Sequence, residues 1–164
     1  MSAVPNPASF EALDACHREM QAHLAALTEL AQHIEADGVD AQAQQQAGAI
    51  EAFFSSTSRQ HHAEEEKIVF APLMLSGNAE LTETVRTLQQ DHGWIEENWI
   101  ELAPELRAIA SGNNWFEPTE FQHNVAVFLE LCLGHIALEE TLIYPEAKAH
   151  WAQTVANRAA RAPR

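Results

Sequence analysis

Four long stretches of apolar residues, recurring every three or four positions and each broken by a histidine, most constrain how this chain can fold. The first runs Phe10, Leu13, His17, Met20, Leu24, Leu27, Ala31 and Ile34. The second, with one extra four-step, is Ile50, Phe54, Thr57, His61, Glu65 and Ile68. A third comprises Leu81, Val85, Leu88, His92, Ile95, Trp99, Leu102, Leu106 and Ile109. The fourth is Phe121, Val125, Phe128, Cys132, His135, Glu139 and Leu142. This is the spacing of a helix that buries one face, and four such faces are most simply hidden against one another.

Breaks around Gly38, Gly77 and Gly112 separate the stretches, so helices are expected over about 7–36, 40–71, 78–110 and 118–150. Asp40 is suited to cap the second helix and Pro118 to open the fourth, while Pro72 should stop or kink the second and Pro104 kink the third. Residues 152–164 are expected to fray. Short connections favour an all-α, up-down-up-down antiparallel four-helix bundle, with 1–164 as a single domain.

Counting from the turns places the histidines in depth. With the first turn near residue 39, His17 lies 22 before it and His61 lies 22 after it. With the third turn near residue 114, His92 lies 22 before it and His135 lies 21 after it. At about 1.5 Å per residue the four fall in one layer, to within about one turn. Imidazoles and carboxylates at one depth inside a bundle are costly without a partner, and the natural partner is a metal ion.

A short internal match sharpens the register. "HHAEEEKIVF" from His61 and "HIALEETLIY" from His135 both read H-x-x-x-E-E-x-x-x-[F/Y], 74 residues apart, and His17 and His92 are 75 apart. The chain therefore reads as two similar hairpins. The match selects His61 with Glu65 and His135 with Glu139, pairs that share a helix face at i and i+4. Mixed imidazole and carboxylate donors suit iron, manganese or zinc, and two carboxylates able to bridge suit a pair of metals better than one.

"CHREM", "HHAEEEKIVF", "QQDHGWIEE" and "HIALEETLIYP" together resemble the hemerythrin-like, HHE cation-binding domains, from about residue 10 to 150. That resemblance implies a four-helix bundle with a non-haem di-iron centre. Its ligands fall on His17, His61, Glu65, His92, His135 and Glu139, with Glu65 and Glu139 as bridges. Two departures stand out: Glu96 replaces the second histidine that oxygen carriers have in their third helix, and His135–Glu139 is shorter than their H-x-x-x-x-D spacing. They point to the bacterial branch, linked to iron handling, stress response, or gas and redox sensing. A third departure from the family is that Phe70 is followed by Ala71 before Pro72, whereas Tyr144 runs directly into Pro145. A small diatomic or peroxide ligand and an iron acceptor protein are the implied partners. A di-iron oxidoreductase acting on a small oxidant, and a zinc-binding structural domain, are the alternatives.

Glu96 is a possible further ligand, although a surface carboxylate is the simpler reading. His62, Glu64 and Glu66 are expected to face outward or to back the ligands, and Asp91 could orient a ligand histidine. Trp94, Trp99 and Trp115 read as packing residues. Tyr144, one turn past Glu139, could shield the site or donate to it, with core packing the simpler reading. His23, His33, His123 and His150 lie away from the layer. Cys16 and Cys132 form no CxxC pair and read as small buried hydrophobes. A formal charge of −15 argues against nucleic-acid and anionic-membrane partners. Arg158, Arg161 and Arg164 read as a solvated tail. The N-terminus lacks the basic and apolar regions of a secretory signal, so the cytoplasm is the expected compartment.

Overall fold

The computed structural model describes residues 6–163, leaving Arg164 and residues 1–5 outside the described residues. The chain forms four helical rods. The first is α1 (Pro7–Asp37). The second is composite: α2 (Ala41–Ser55), α3 (Thr57–Glu65), a π-helical turn over Glu66–Phe70, and α4 (Ala71–Met74). The third is α5 (Ala79–Ala110), and the fourth joins α6 (Pro118–Leu138), a π-helical turn over Glu139–Ile143, and α7 (Tyr144–Arg161). α1 and α5 each pack on both α2 and α6, which gives the all-α bundle a square cross-section. Among the described residues no helix is long and apolar enough to cross a membrane.

The rods begin where the sequence supplies caps. Asp40 Oδ1 accepts the Ala43 amide at 2.9 Å, and Asn78 Oδ1 accepts those of Glu80 and Leu81 at 3.1 Å each. Each connection between rods contains one glycine at positive φ, namely Gly38, Gly77 and Gly112. α5 runs through Pro104 without interruption. The fourth rod continues as helix to Arg161, beyond the expected end near 150, so residues 152–161 are helical and not frayed; most of that last stretch is exposed.

The composite second rod corrects the expected continuous helix. It breaks at Ser56, whose backbone leaves the helical region at φ −127° and ψ −76°. The hydroxyls of "SSTS" compete for local partners: Ser56 Oγ donates to the Ala52 carbonyl at 2.6 Å and Ser55 Oγ to Glu51 at 2.9 Å. The break shifts the inward face by one position. Ser58 is buried, and Thr57, placed in the stripe by periodicity, is exposed.

The two π turns correct the stripe again. In each, the closing amide reaches five residues back, Ala71 to Glu66 and Tyr144 to Glu139, and the next residue is a proline. A proline ring has no amide and crowds the carbonyl four residues before it, so the turn preceding it widens. The turns follow the prolines, so with Pro72 two positions after Phe70 but Pro145 directly after Tyr144, one turn begins at Glu66 and the other at Glu139. The widening explains why Leu142 is 38% exposed while Ile143 and Tyr144 are buried in its place.

The apolar core is divided. A larger cluster lies toward the Gly38 and Gly112 turns and includes Leu27, Phe54, Trp99, Leu106 and Phe128. A smaller cluster toward the other end includes Phe10, Leu13, Phe70, Val85 and Ile143. Between them lies a polar layer.

Candidate metal centre

His17, His61, Glu65, His135 and Glu139 in that layer are buried, and His92 nearly so. Their donor atoms converge. Glu65 Oε1 lies 3.2 Å from His61 Nε2 and 3.4 Å from His92 Nε2, and Glu65 Oε2 lies 3.7 Å from His17 Nε2. Glu139 Oε1 lies 3.3 Å from His17 Nε2 and 3.1 Å from His135 Nε2. The donors sort into two sets able to hold an ion, one of His17, His61 and Glu65, the other of His62, Glu65, His92 and His135. Glu65 belongs to both, and Glu139 touches one imidazole of each.

The imidazoles are aimed from behind. His92 Nδ1 is hydrogen-bonded to Glu66 Oε1 at 3.0 Å and His135 Nδ1 to Asp91 Oδ2 at 3.4 Å, whereas His17 Nδ1 lies 3.3 Å from Glu140 Oε1 without a hydrogen bond. A proton on Nδ1 shared with such a carboxylate leaves the Nε2 lone pair facing the layer. The internal repeat reappears here: Glu66 and Glu140 occupy equivalent positions behind His92 and His17.

Electrostatics of the metal-free layer are dominated by burial. Burial works to lower the His17 pKa, but the Glu139 and Glu65 carboxylates outweigh it and raise it to about 9. Glu139 is held well above the usual carboxylate range by burial and then by the charge of Glu65. Burial would raise Glu65 too, but the Glu139 carboxyl and the imidazoles of His17, His61 and His92 hold it well below that range. Two buried carboxyls whose charges oppose each other do not both ionise, and Glu139 is the one that keeps its proton.

Tyr144, for which core packing is the simpler reading, and His62, expected to face outward or to back the ligands, both reach the site. The Tyr144 hydroxyl donates to Glu65 Oε2 at 2.7 Å and lies 3.1 Å from His17 Nε2 and 3.4 Å from His61 Nε2, with its ring stacked on His17 at 4.7 Å. Burial, then the Glu65 and Glu139 charges, push its phenol far upward, so it keeps its proton. The π turn, which places positions five apart on one face, brings it there. His62, expected to face outward, turns into the layer and stacks on His92 with ring centroids 4.1 Å apart. The break at Ser56 turns it inward, and the helix-poor run "SSTS" was the signal available in the sequence. Burial, then His92, hold its pKa well below the ordinary histidine value, so it is a neutral imidazole.

Glu96, the possible extra ligand, points away: Arg59 Nε donates to its Oε2 at 3.2 Å and Arg59 Nη2 to its Oε1. Glu96→Gln should therefore leave metal content unchanged by elemental analysis, and loss of an ion would return Glu96 to the site. Trp99 is buried, whereas Trp94 and Trp115 are 49% and 86% exposed and do not pack in the core. Cys132 is buried and Cys16 half-buried. Burial, then Glu19, raises the Cys16 pKa to about 11, and burial raises that of Cys132 further, so neither supplies a thiolate.

The donors fit a metal. Glu65 Oε1, both Glu139 oxygens and the Nε2 atoms of His62, His92 and His135 are buried and make no hydrogen bond. Buried polar atoms are rarely left so, and six in one layer form a set awaiting a cation. A family model for the hemerythrin HHE cation binding domain matches residues 8–147. The chain belongs to this family. The HHE chain is also 26% identical over 132 residues to an uncharacterized protein of Haemophilus influenzae, covering 80% of this chain and 74% of that one. No solved structure gives a significant match. HHE domains bind metal cations, typically iron, and the cluster at this layer can hold one.

Proposed function

We propose that this HHE protein carries two non-haem irons bridged by Glu65 and Glu139, with His17 and His61 serving one ion and His92 and His135 the other. It uses them to bind or sense O2, NO or peroxide, or to handle iron under stress in the cytoplasm, with an iron acceptor as partner. The observation that carries this is the sharing of Glu65 between two donor sets. A structural zinc site closes with about four donors, fewer than this layer offers. Absence of a thiolate suits iron equally.

Bound iron would supply open coordination and redox capacity. The residues supply the rest. A surface cleft of about 210 Å³ lined by Ala12, Cys16, Thr57, Gln60, His61 and Glu64 opens beside the His61 side of the layer. It is roomy for a diatomic molecule or peroxide, since a water takes about 30 Å³. The Tyr144 hydroxyl lies beside His61 and donates its proton to Glu65 Oε2, which holds that carboxylate in place. The apolar clusters above and below exclude bulk water from the layer.

Anaerobically purified protein should contain two irons per chain and, once oxidised, absorb in the near ultraviolet as bridged ferric pairs do. One iron or none would refute the pair. Mixing the reduced form with O2 separates a binding protein, which gives a reversible adduct, from an oxidoreductase, which oxidises irreversibly and consumes peroxide.

A further inference from the structure

The internal repeat predicts two equivalent ion positions, each with two imidazoles, but the structure is not symmetric. In the repeat register His62 corresponds to Ile136, which is buried in the larger apolar cluster. The donor set around His92 and His135 therefore contains a third imidazole that the other set lacks. His62 meets the requirements for a ligand independently of its titration. Its Nε2 is buried and makes no hydrogen bond. Its donor atom lies within 4.8 Å of those of Glu65, His92 and His135. Its ring is fixed by stacking on His92, with planes 21° apart, and lies 5.9 Å from that of His135. A structural histidine at such a place would have a partner for that nitrogen.

We infer that His62 is a seventh ligand, completing a three-imidazole set with His92 and His135 and making the two ion positions chemically unequal. The position served by His17 and His61 has two imidazoles and faces the Tyr144 hydroxyl. This rests on the proposed metal pair only for the second ion; the His62 set stands on its own donors.

Cobalt(II), whose visible bands report coordination number and donor type, is a suitable probe for the full-length protein. The metal-free protein is titrated with cobalt in competition with a chelator, comparing the parent chain, His62→Phe and His62→Gln. Phenylalanine keeps the stacking on His92 but offers no donor, and glutamine guards against a packing defect; circular dichroism checks that both fold. The expected result is two equivalents in the parent chain with different band shapes. In both variants one equivalent should weaken by about 10-fold or more with altered bands, since the loss of even an outer partner costs about that much. Two unchanged equivalents in His62→Phe would overturn the assignment and leave His62 as a packing partner of His92. If the parent takes one equivalent and His62→Phe weakens it, His62 is a ligand and the pair is not. One equivalent untouched by His62→Phe, or no uptake at all, sinks both.

Discussion

Glu65→Ala should leave the protein with neither metal. Its Oε1 lies between imidazoles of opposite sets, 3.2 Å from His61 Nε2 and 3.4 Å from His92 Nε2. Its removal takes a donor from both positions and leaves the Tyr144 hydroxyl without its acceptor. Metal content by elemental analysis should fall to about a tenth of the parent or less, because losing even an outer partner of a ligand costs about 10–100-fold in affinity. His135→Ala removes a donor from one set alone and should cost one ion of the two. Equal loss from both variants would mean that the positions are filled cooperatively; two metals retained in Glu65→Ala would sink the shared carboxylate.

Removing the metal should also destabilise the fold, and increasingly so as pH rises. Binding at about a thousand times the dissociation constant adds about 4 kcal/mol of stability, which at about 2–4 °C per kcal/mol for a chain of this size makes a drop in Tm of about 10 °C on chelation. The pH dependence follows from the protons of the metal-free layer. His17 has its folded pKa raised from 6.5 to about 9, so its contribution is fully present below 6.5 and is lost as pH rises through 9. Glu139 is also raised, by burial and then Glu65, so its bound proton adds a contribution of the same sign. Glu65 is lowered, and its opposite contribution changes only at acid pH. Metal-bound ligands have no such protons to lose. Melting curves of loaded and chelated protein should therefore diverge between pH 6.5 and 9, and curves that converge over that interval would contradict this assignment of protons.

The bundle was legible because its apolar stripes on α1 and α5 run unbroken through helices of regular pitch. Every stripe position on α1, from Phe10 to Ile34, is buried. Misplaced residues cluster where the pitch changes. Thr57 follows the break at Ser56, and Leu142 lies in a π turn; in both places a fixed three-four count drifts by one residue. His62 and Tyr144 were under-weighted for the same reason, since local backbone competition and proline crowding turn them inward. The six residues picked out by the repeat come together in the layer, because i and i+4 spacing holds up to Glu65 and Glu139, where the widened turns begin.

The division of the apolar core gives the polar layer a mechanical role besides its chemistry. Each end of the bundle has its own adhesive patch, and the smaller one holds the start of α1, both π turns and the beginning of α7. With an ion seated, the layer acts as a rivet that ties the weaker end to the stronger. Without it, that end is clamped only by a modest apolar patch, so local opening should begin there while the far end stays closed. Cation status would thus be readable at a distance, as the slackness of one end of the molecule.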